Sequence, residues 1–230
     1  MKRFWTDVAV VADPGGHAIR LDDRPVRTPG RRPLLLPTRD LADAVAAEWA
    51  AVADVIDPRA MRLTGLANAA IDIVAPDPPA FIRPLAAYAD SDLLIYRADA
   101  PDSLVAAQAA AWDPPLVWAG GRFDVAFTPA TGIIHRPQPP ATLDRLAAAL
   151  TGRPPFRLAG LSPLVTIGGS LVVALAVDEG ALTADDGWAA VTVDEQWQQQ
   201  RWGEDAEATA VLAARRTEWM AAARFLALLD

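Results

Sequence analysis

From residue 7 to residue 36, apolar and polar positions alternate in short runs, and each run stops at a turn signal. Period-two alternation bounded by Gly, Pro and Asp predicts strands, expected at 7–11, 18–21, 25–28 and 34–36. Pro14-Gly15-Gly16, Asp22-Asp23 and Pro29-Gly30 separate them, as in an antiparallel meander, and Pro37 closes the series. Ile19 and Leu21 fall on one side and Arg20 on the other, the pattern of a sheet with one solvated face.

At Thr38 the period changes. Leu41, Val45, Trp49 and Val52 recur at helical spacing, Thr38 is placed to cap the helix, and Asp40 lies in its first turn. Met61, Leu63, Leu66 and Ile71 predict a second helix, stopped by Pro76-Asp77-Pro78-Pro79. Beyond it the chain reads as helices between proline-rich connectors: 81–92, 103–112 running into Asp113-Pro114-Pro115, 116–120 and 142–150. Short β-like pieces are expected at 124–127 and 132–134. The run 163–177 fits a helix by length and a strand pair by its Gly168-Gly169 break, and a helix is the favoured reading.

Thr192, with Glu195 three residues on, forms a capping-box pattern ahead of a helix at 196–202 that Gly203 stops. Glu204, Asp205 and Glu207 suit the start of another helix. Leu212, Trp219 and Leu226, with Ala208, Ala222 and Leu229, mark its apolar stripe. The fold class expected is α+β: a small β-rich N-terminal domain with one helix at 1–65, then a larger, mainly helical C-terminal domain at 66–230.

Composition narrows the function classes. The 230 residues are 52% hydrophobic and 22% charged, enough to bury a sizeable core. There is no Cys, which removes disulfides, thiolate nucleophiles and cysteine metal sites, and His17 and His135 are the only imidazoles. The net charge of −8 is uneven: residues 1–39 carry eight Lys or Arg against four Asp, and 40–230 carry thirteen against twenty-five acids. The acidic remainder opposes nucleic-acid binding, so the strand arginines read as solvated positions rather than a phosphate face. No run reaches about 18 apolar residues, so no membrane insertion is expected. The N-terminus lacks a secretory pattern, and a cytoplasmic location follows.

Catalytic motifs are sparse. No P-loop is present, and Lys2 is the only lysine. Gly168-Gly169-Ser170-Leu171-Val172 opens like a nucleophile elbow but lacks the closing glycine. Asp185 with Asp186, or Asp194 with Glu195, could bind a cation such as magnesium. Adjacent helix positions diverge by about 100°, which favours reading them as acids at helix starts. A small metal-dependent enzyme using these clustered carboxylates is the alternative function; no cofactor is assigned.

Several segments occur together: Lys2-Arg3-Phe4-Trp5, Leu21-Asp22-Asp23-Arg24-Pro25-Val26-Arg27-Thr28-Pro29, Glu48-Trp49, and Ile56-Asp57-Pro58 followed by Met61-Arg62-Leu63-Thr64. Further along stand Leu66-Ala67-Asn68, Tyr88-Ala89-Asp90-Ser91-Asp92-Leu93-Leu94, Tyr96-Arg97, Gln108, Trp112-Asp113-Pro114, Asp194-Glu195-Gln196 and Trp202-Gly203-Glu204-Asp205. In this order, over nearly the whole chain, they resemble the mitochondrial and α-proteobacterial assembly chaperones that hold the α subunit of the F-type ATP synthase. Two departures stand out. Asp23 occupies a hairpin position that is usually glycine, and Pro115 follows Pro114, which is expected to shorten or tilt the helix from Leu116.

The resemblance implies a molecular chaperone, not an enzyme. It would bind the unassembled α subunit and prevent its aggregation until assembly with β, acting as a monomer. Because the family motif starts at residue 2, a bacterial cytoplasmic member is expected. The family gives weight to the C-terminal acidic element, so Glu195, Trp202, Glu204 and Asp205 are the expected partner contacts. The opposing reading has Glu195 completing the capping box and Trp202 packing between helices. Trp5, Arg24, Pro25, Trp49, Asp57, Trp112, Asp113 and Gly203 are expected to be structural motif residues. Trp49 reads as core, so Trp49→Arg would destabilise the fold and report little about an interface.

Overall fold

The computed structural model describes residues 2–132 and 134–230. They group into two compact units: Met1–Pro78 with Pro154–Gly160 and Arg224–Asp230, and Pro79–Arg153 with Leu161–Ala223. The boundary expected after residue 65 falls inside a helix, and the first unit takes in two later segments. Phe225, buried in that unit's core, and Phe156, Leu228 and Leu229, packed against it, supply apolar surface that a short sheet and its helices alone do not.

The first unit is built on strands β1 (Val8–Asp13), β2 (Gly16–Leu21), β3 (Arg24–Pro25) and β4 (Leu35–Leu36). β2 is central. β1 pairs antiparallel along its full length, from Val8 against Leu21 to Asp13 against Gly16. β3 and β4 share the opposite edge, with Arg20 against Pro25 and Ala18 against Leu35. The expected meander is thereby corrected: after β3 the chain makes an excursion and returns to the same edge of β2.

Asp72 pins that excursion, its carboxylate accepting from Thr28 Oγ1 at 2.8 Å and from Gly30 N at 2.7 Å. A Cβ on Gly30 would lie 2.6 Å from Asp72 Oδ1, so the loop needs glycine there. The turn before β3 takes its left-handed residue at Asp22, with φ 52°, and not at Asp23. The Asp22 carboxylate accepts from Thr6 N and Asp7 N, and the backbone bond from Asp7 leads in holding its pKa below the usual value.

Helix α1 (Arg39–Ala50) begins as its sequence requires: Thr38 Oγ1 accepts from Leu41 N at 3.2 Å. Leu41, Ala42 and Val45 join Trp5, Ile19, Leu34 and Leu36 in the core. Helix α2 (Arg62–Ala69) runs directly into one π-helical turn, Ala70–Val74. Met61 offers α2 no side-chain cap, and Glu48 of α1 takes that role. Its carboxylate accepts from Leu63 N and Thr64 N, both at 2.8 Å, and from Thr64 Oγ1 at 2.7 Å. Glu48→Ala is therefore expected to lower stability by about 1–3 kcal/mol in urea unfolding, because it leaves partly buried donors at a helix start without their acceptor. An unchanged midpoint would refute this capping role.

The second unit opens with α3 (Pro78–Ala86), 3-10 turns at Ala87–Asp90 and Leu93–Ile95, β5 (Tyr96–Arg97), α4 (Asp102–Phe123), β6 (Ala130–Thr131) and α5 (Pro140–Leu150). β5 and β6 pair in parallel. The β-like pieces expected at 124–127 and 132–134 are not strands at Asp124–Phe127, Gly132 or Ile134; Ile133 lies outside the described residues.

α4 is the larger correction. It passes through Pro114 and Pro115 as one helix of 22 residues, where two helices were expected. An internal proline costs a helix about 3 kcal/mol. Here Gln108, Trp112, Pro115 and Ala119 form one buried face, and Trp112 Nε1 donates to Ala190 O at 2.7 Å. Tertiary packing outweighs the local penalty.

Helices α6 (Pro155–Gly168) and α7 (Leu171–Asp178) replace the single helix expected at 163–177. Gly169 adopts φ 67° at the break, and Ser170 Oγ accepts from Val173 N at 3.0 Å. The apparent nucleophile elbow is thus a helix junction with a capping serine. α8 (Ala184–Val191), α9 (Val193–Trp202) and α10 (Ala206–Ala227) complete the chain. The Thr192 capping box does not form: Thr192 Oγ1 donates back to Trp188 O and accepts from Gln196 Nε2, both at 2.7 Å. The real cap in this region is Thr183, ahead of α8, whose Oγ1 accepts from Asp186 N at 3.1 Å.

Beside the α6–α7 junction lies Asp92, fully buried, accepting from Leu94 N at 3.1 Å and Val172 N at 3.0 Å. Desolvation outweighs these bonds and pushes its pKa from 3.8 up to about 6. The folded state therefore keeps this proton where the unfolded chain has lost it. Its stabilising contribution is full below the unfolded pKa and declines as pH rises through about 6. Compared with the non-titrating Asp92→Asn variant, the protein should lose on the order of 3 kcal/mol across that window, roughly half of it above pH 5. Urea unfolding of both at several pH values between 5 and 7.5 checks this, and a pH-independent difference refutes it.

Candidate functional site

A concavity of the second unit lies between α9 and the first turns of α10, and it follows from how those helices begin and end. Gly203, with φ 88°, stops α9, and its N–H donates to Gln199 O at 2.9 Å. Two residues later Asp205 Oδ1 accepts from Ala208 N at 2.8 Å and starts α10. The chain thus reverses around Trp202-Gly203-Glu204-Asp205 and leaves a cleft of about 560 Å3.

Its floor is apolar and open to solvent. Trp202 is 71% exposed and Val211 56%, with Ala208 and Leu212 beside them. Trp202 meets Trp197 edge to face, ring centroids 5.3 Å apart. Glu195, Asp205 and Glu207 stand around the floor, with Arg215 as the opposing charge. Arg215 donates to Glu195 Oε1 at 3.2 Å and to Ile167 O at 2.9 Å, so its guanidinium is held against the wall. A second concavity of about 470 Å3, containing Leu93, Trp112 and Asp194, shares Glu195, Gln198 and Arg215 with the first.

Of the expected partner contacts, Glu195, Trp202 and Asp205 line the cleft; Glu204 is exposed next to it and does not. Glu195 faces Arg215 instead of completing a capping box, and Trp202 is open to solvent instead of packed between helices. Sequence reading missed Glu207, Val211 and Arg215. It placed Ala208 and Leu212 on a stripe like that of Trp219 and Leu226, but Ala208 is exposed and Leu212 half-buried. The first half of the stripe is uncovered, which periodicity alone does not reveal.

Trp5 is buried, with Trp49 half-buried against it at 5.4 Å between ring centroids. Arg24 and Pro25 form exposed β3, and Asp57 accepts from Arg59 N at 3.0 Å in a turn. Arg97 pairs with Asp113 at 2.7 Å and lies over the Trp112 ring. Gln108 links Ala98 N to Asp194 Oδ1, each at 2.8 Å.

The carboxylates of the alternative enzyme reading are dispersed. Asp185 pairs with Arg216 at 2.6 Å, Asp186 with Thr183, Asp194 with Gln108 and Glu195 with Arg215. Among the described residues no group of three or more His, Asp or Glu could hold a metal ion, and no helix is long and apolar enough to cross a membrane.

The family profile for "ATP12 chaperone protein" matches residues 2–120. The chain is 26% identical over 214 residues to mitochondrial protein atp12 of Schizosaccharomyces pombe, spanning 88% of this chain and 74% of that one. The crystal structure of Atp12 from Paracoccus denitrificans superposes with TM-score 0.94 at 45% identity, over 100% of this chain and 98% of that one. The Atu1473 protein of Agrobacterium tumefaciens gives TM-score 0.94 at 39% identity, over 100% of this chain and 86% of that one. This chain belongs to the ATP12 chaperone family of ATP synthase assembly factors.

Proposed function

We propose that this protein binds the unassembled α subunit of the F-type ATP synthase head and keeps it from aggregating until the β subunit replaces it, acting as a cytoplasmic monomer without catalysis of its own. The observation that carries this reading is the α9–α10 cleft, an exposed apolar floor with three carboxylates and one arginine around it. Such a surface suits an amphipathic client segment whose apolar side covers Trp202 and Val211 while a Lys or Arg reaches Glu207 or Asp205. Glu195 is already engaged by Arg215 and is the weaker acceptor.

Subunit interfaces exposed before assembly are apolar and prone to aggregate, so a holder needs moderate affinity and displacement by the final partner. The test is co-purification with separately expressed α subunit, followed by addition of β. Capture of α, reduced light scattering and release by β are the expected results. Folded α that neither binds nor stays soluble longer would overturn the proposal.

A further inference from the structure

β1 is an edge strand whose outer side is open. Asp22 N donates to Asp7 O at 2.9 Å, so Asp7/Asp22, Ala9/Arg20 and Val11/Ala18 are the hydrogen-bonded pairs of the β1–β2 ladder. On β2 the intervening Ile19 turns its carbonyl the other way and accepts from Val26 N at 2.9 Å. By the same alternation the N–H and C=O groups of Val8, Val10 and Ala12 point away from β2. Among the described residues, no hydrogen bond reaches them from outside the strand.

Exposed edges are normally guarded by a central charge, a proline, a bulge or a covering element. Residues 8–12, Val-Ala-Val-Val-Ala, pair in unbroken register and carry no charge or proline; charges stand only at the two ends, Asp7 and Asp13. Those ends select the occupant. A second copy paired antiparallel about Val10 would set Asp7 against the copy's Asp13 at both ends, and like charges directly opposite are unfavourable.

We propose that the free edge of β1 accepts an extended, uncharged segment of the client as an added strand, with a Lys or Arg at each end of that segment meeting Asp7 and Asp13. This rests on the client reading above. Main-chain bonds to Val8, Val10 and Ala12 supply affinity, while alternate client side chains lie beside Val8 and Val10 on one face and Ala9 and Val11 on the other.

Ala12→Pro and Val10→Pro each delete one outward N–H and leave the β1–β2 hydrogen bonds intact; Ala12 is exposed, so its variant loses no packing. The probe is a short peptide alternating Val and Thr with Lys at both ends, with a Glu-ended counterpart. Amide exchange should slow at Val8, Val10 and Ala12 by about tenfold or more with the Lys-ended peptide, and much less with the Glu-ended one. The prolines should abolish the effect. Equal protection by both peptides, or none by either, overturns the proposal, and the exchange measurement stands even if a proline variant fails to fold. If α is captured equally by the protein and by Ala12→Pro with no protection of the edge amides, the edge proposal falls and the client reading stands. If α is not captured while the Lys-ended peptide protects the edge, the client assignment falls and strand acceptance survives without it.

Discussion

Trp219→Ala is expected to lower the free energy of unfolding by about 3–5 kcal/mol, the cost of truncating a fully buried Trp. The ring of Trp219 has no exposed surface, and its Nε1 donates to Ala184 O at 2.9 Å. Glycines form notches around it. A Cβ on Gly168 would lie 2.7 Å from Trp219 Cζ3, and one on Gly187 would lie 3.2 Å from Cζ2 and 2.6 Å from Val177 Cγ2. Truncation therefore empties a space that several elements are shaped to enclose. Typical domains are stable by only about 5–15 kcal/mol, so this variant should be marginal.

The notches also predict non-additivity. Gly168→Ala alone should cost about 1–3 kcal/mol through overpacking, and clearly less once Trp219 is Ala, because the 2.7 Å contact with the ring is then gone and only Val191 Cγ1, at 3.1 Å, stays close. Urea unfolding of the four proteins gives the coupling directly. Additive losses would mean that the Gly168 contact with the ring is not what limits that position.

How far the sequence reveals this molecule depends on whether a signal is local. Thr38 caps α1 because the cap needs only a hydroxyl three residues before its N–H donor. Ile19 and Leu21 are buried and Arg20 exposed because a strand's two faces are fixed by parity. Signals failed where a distant group took over a local role. Glu48 caps α2 from another helix, leaving Met61 with nothing to announce the start. Thr192 looks like a capping residue, yet its hydroxyl is drawn back to Trp188 O. Pro114 and Pro115 look like stops, yet Trp112 and its bond to Ala190 hold α4 together.

The candidate site divides along the same line. Gly203 and Asp205 are legible as a helix end and a helix start, whereas Trp202 and Asp205 enter as partner contacts only through the family resemblance, the local pattern placing Trp202 between helices. Glu207 reads only as one more acid at a helix start, and Val211 is not legible at all, since an apolar stripe reads alike whether its own chain covers it or a partner must.

Trp202→Ala should weaken capture of the client about 30-fold, the effect of losing a central aromatic anchor worth roughly 2 kcal/mol. It should cost the fold little, because the ring is 71% exposed and its main internal contact is the edge-to-face pair with Trp197. That pair is worth about 0.5–1.5 kcal/mol at most. Charge reversal at Glu207 is the matching test of the acidic side. Asp205 is unsuitable because it caps Ala208 N, and Glu195 because it pairs with Arg215; replacing either disturbs the helices themselves. Glu207→Lys should weaken capture and flatten its dependence on salt, whereas Glu204→Lys, outside the cleft and likewise exposed, should act only through screened long-range charge and far more weakly. Titration of each variant with the α subunit at two ionic strengths, beside its urea midpoint, separates binding from folding. Equal effects of the two lysine variants would leave general acidity as the cause, and wild-type affinity in Trp202→Ala would remove the cleft from the interface.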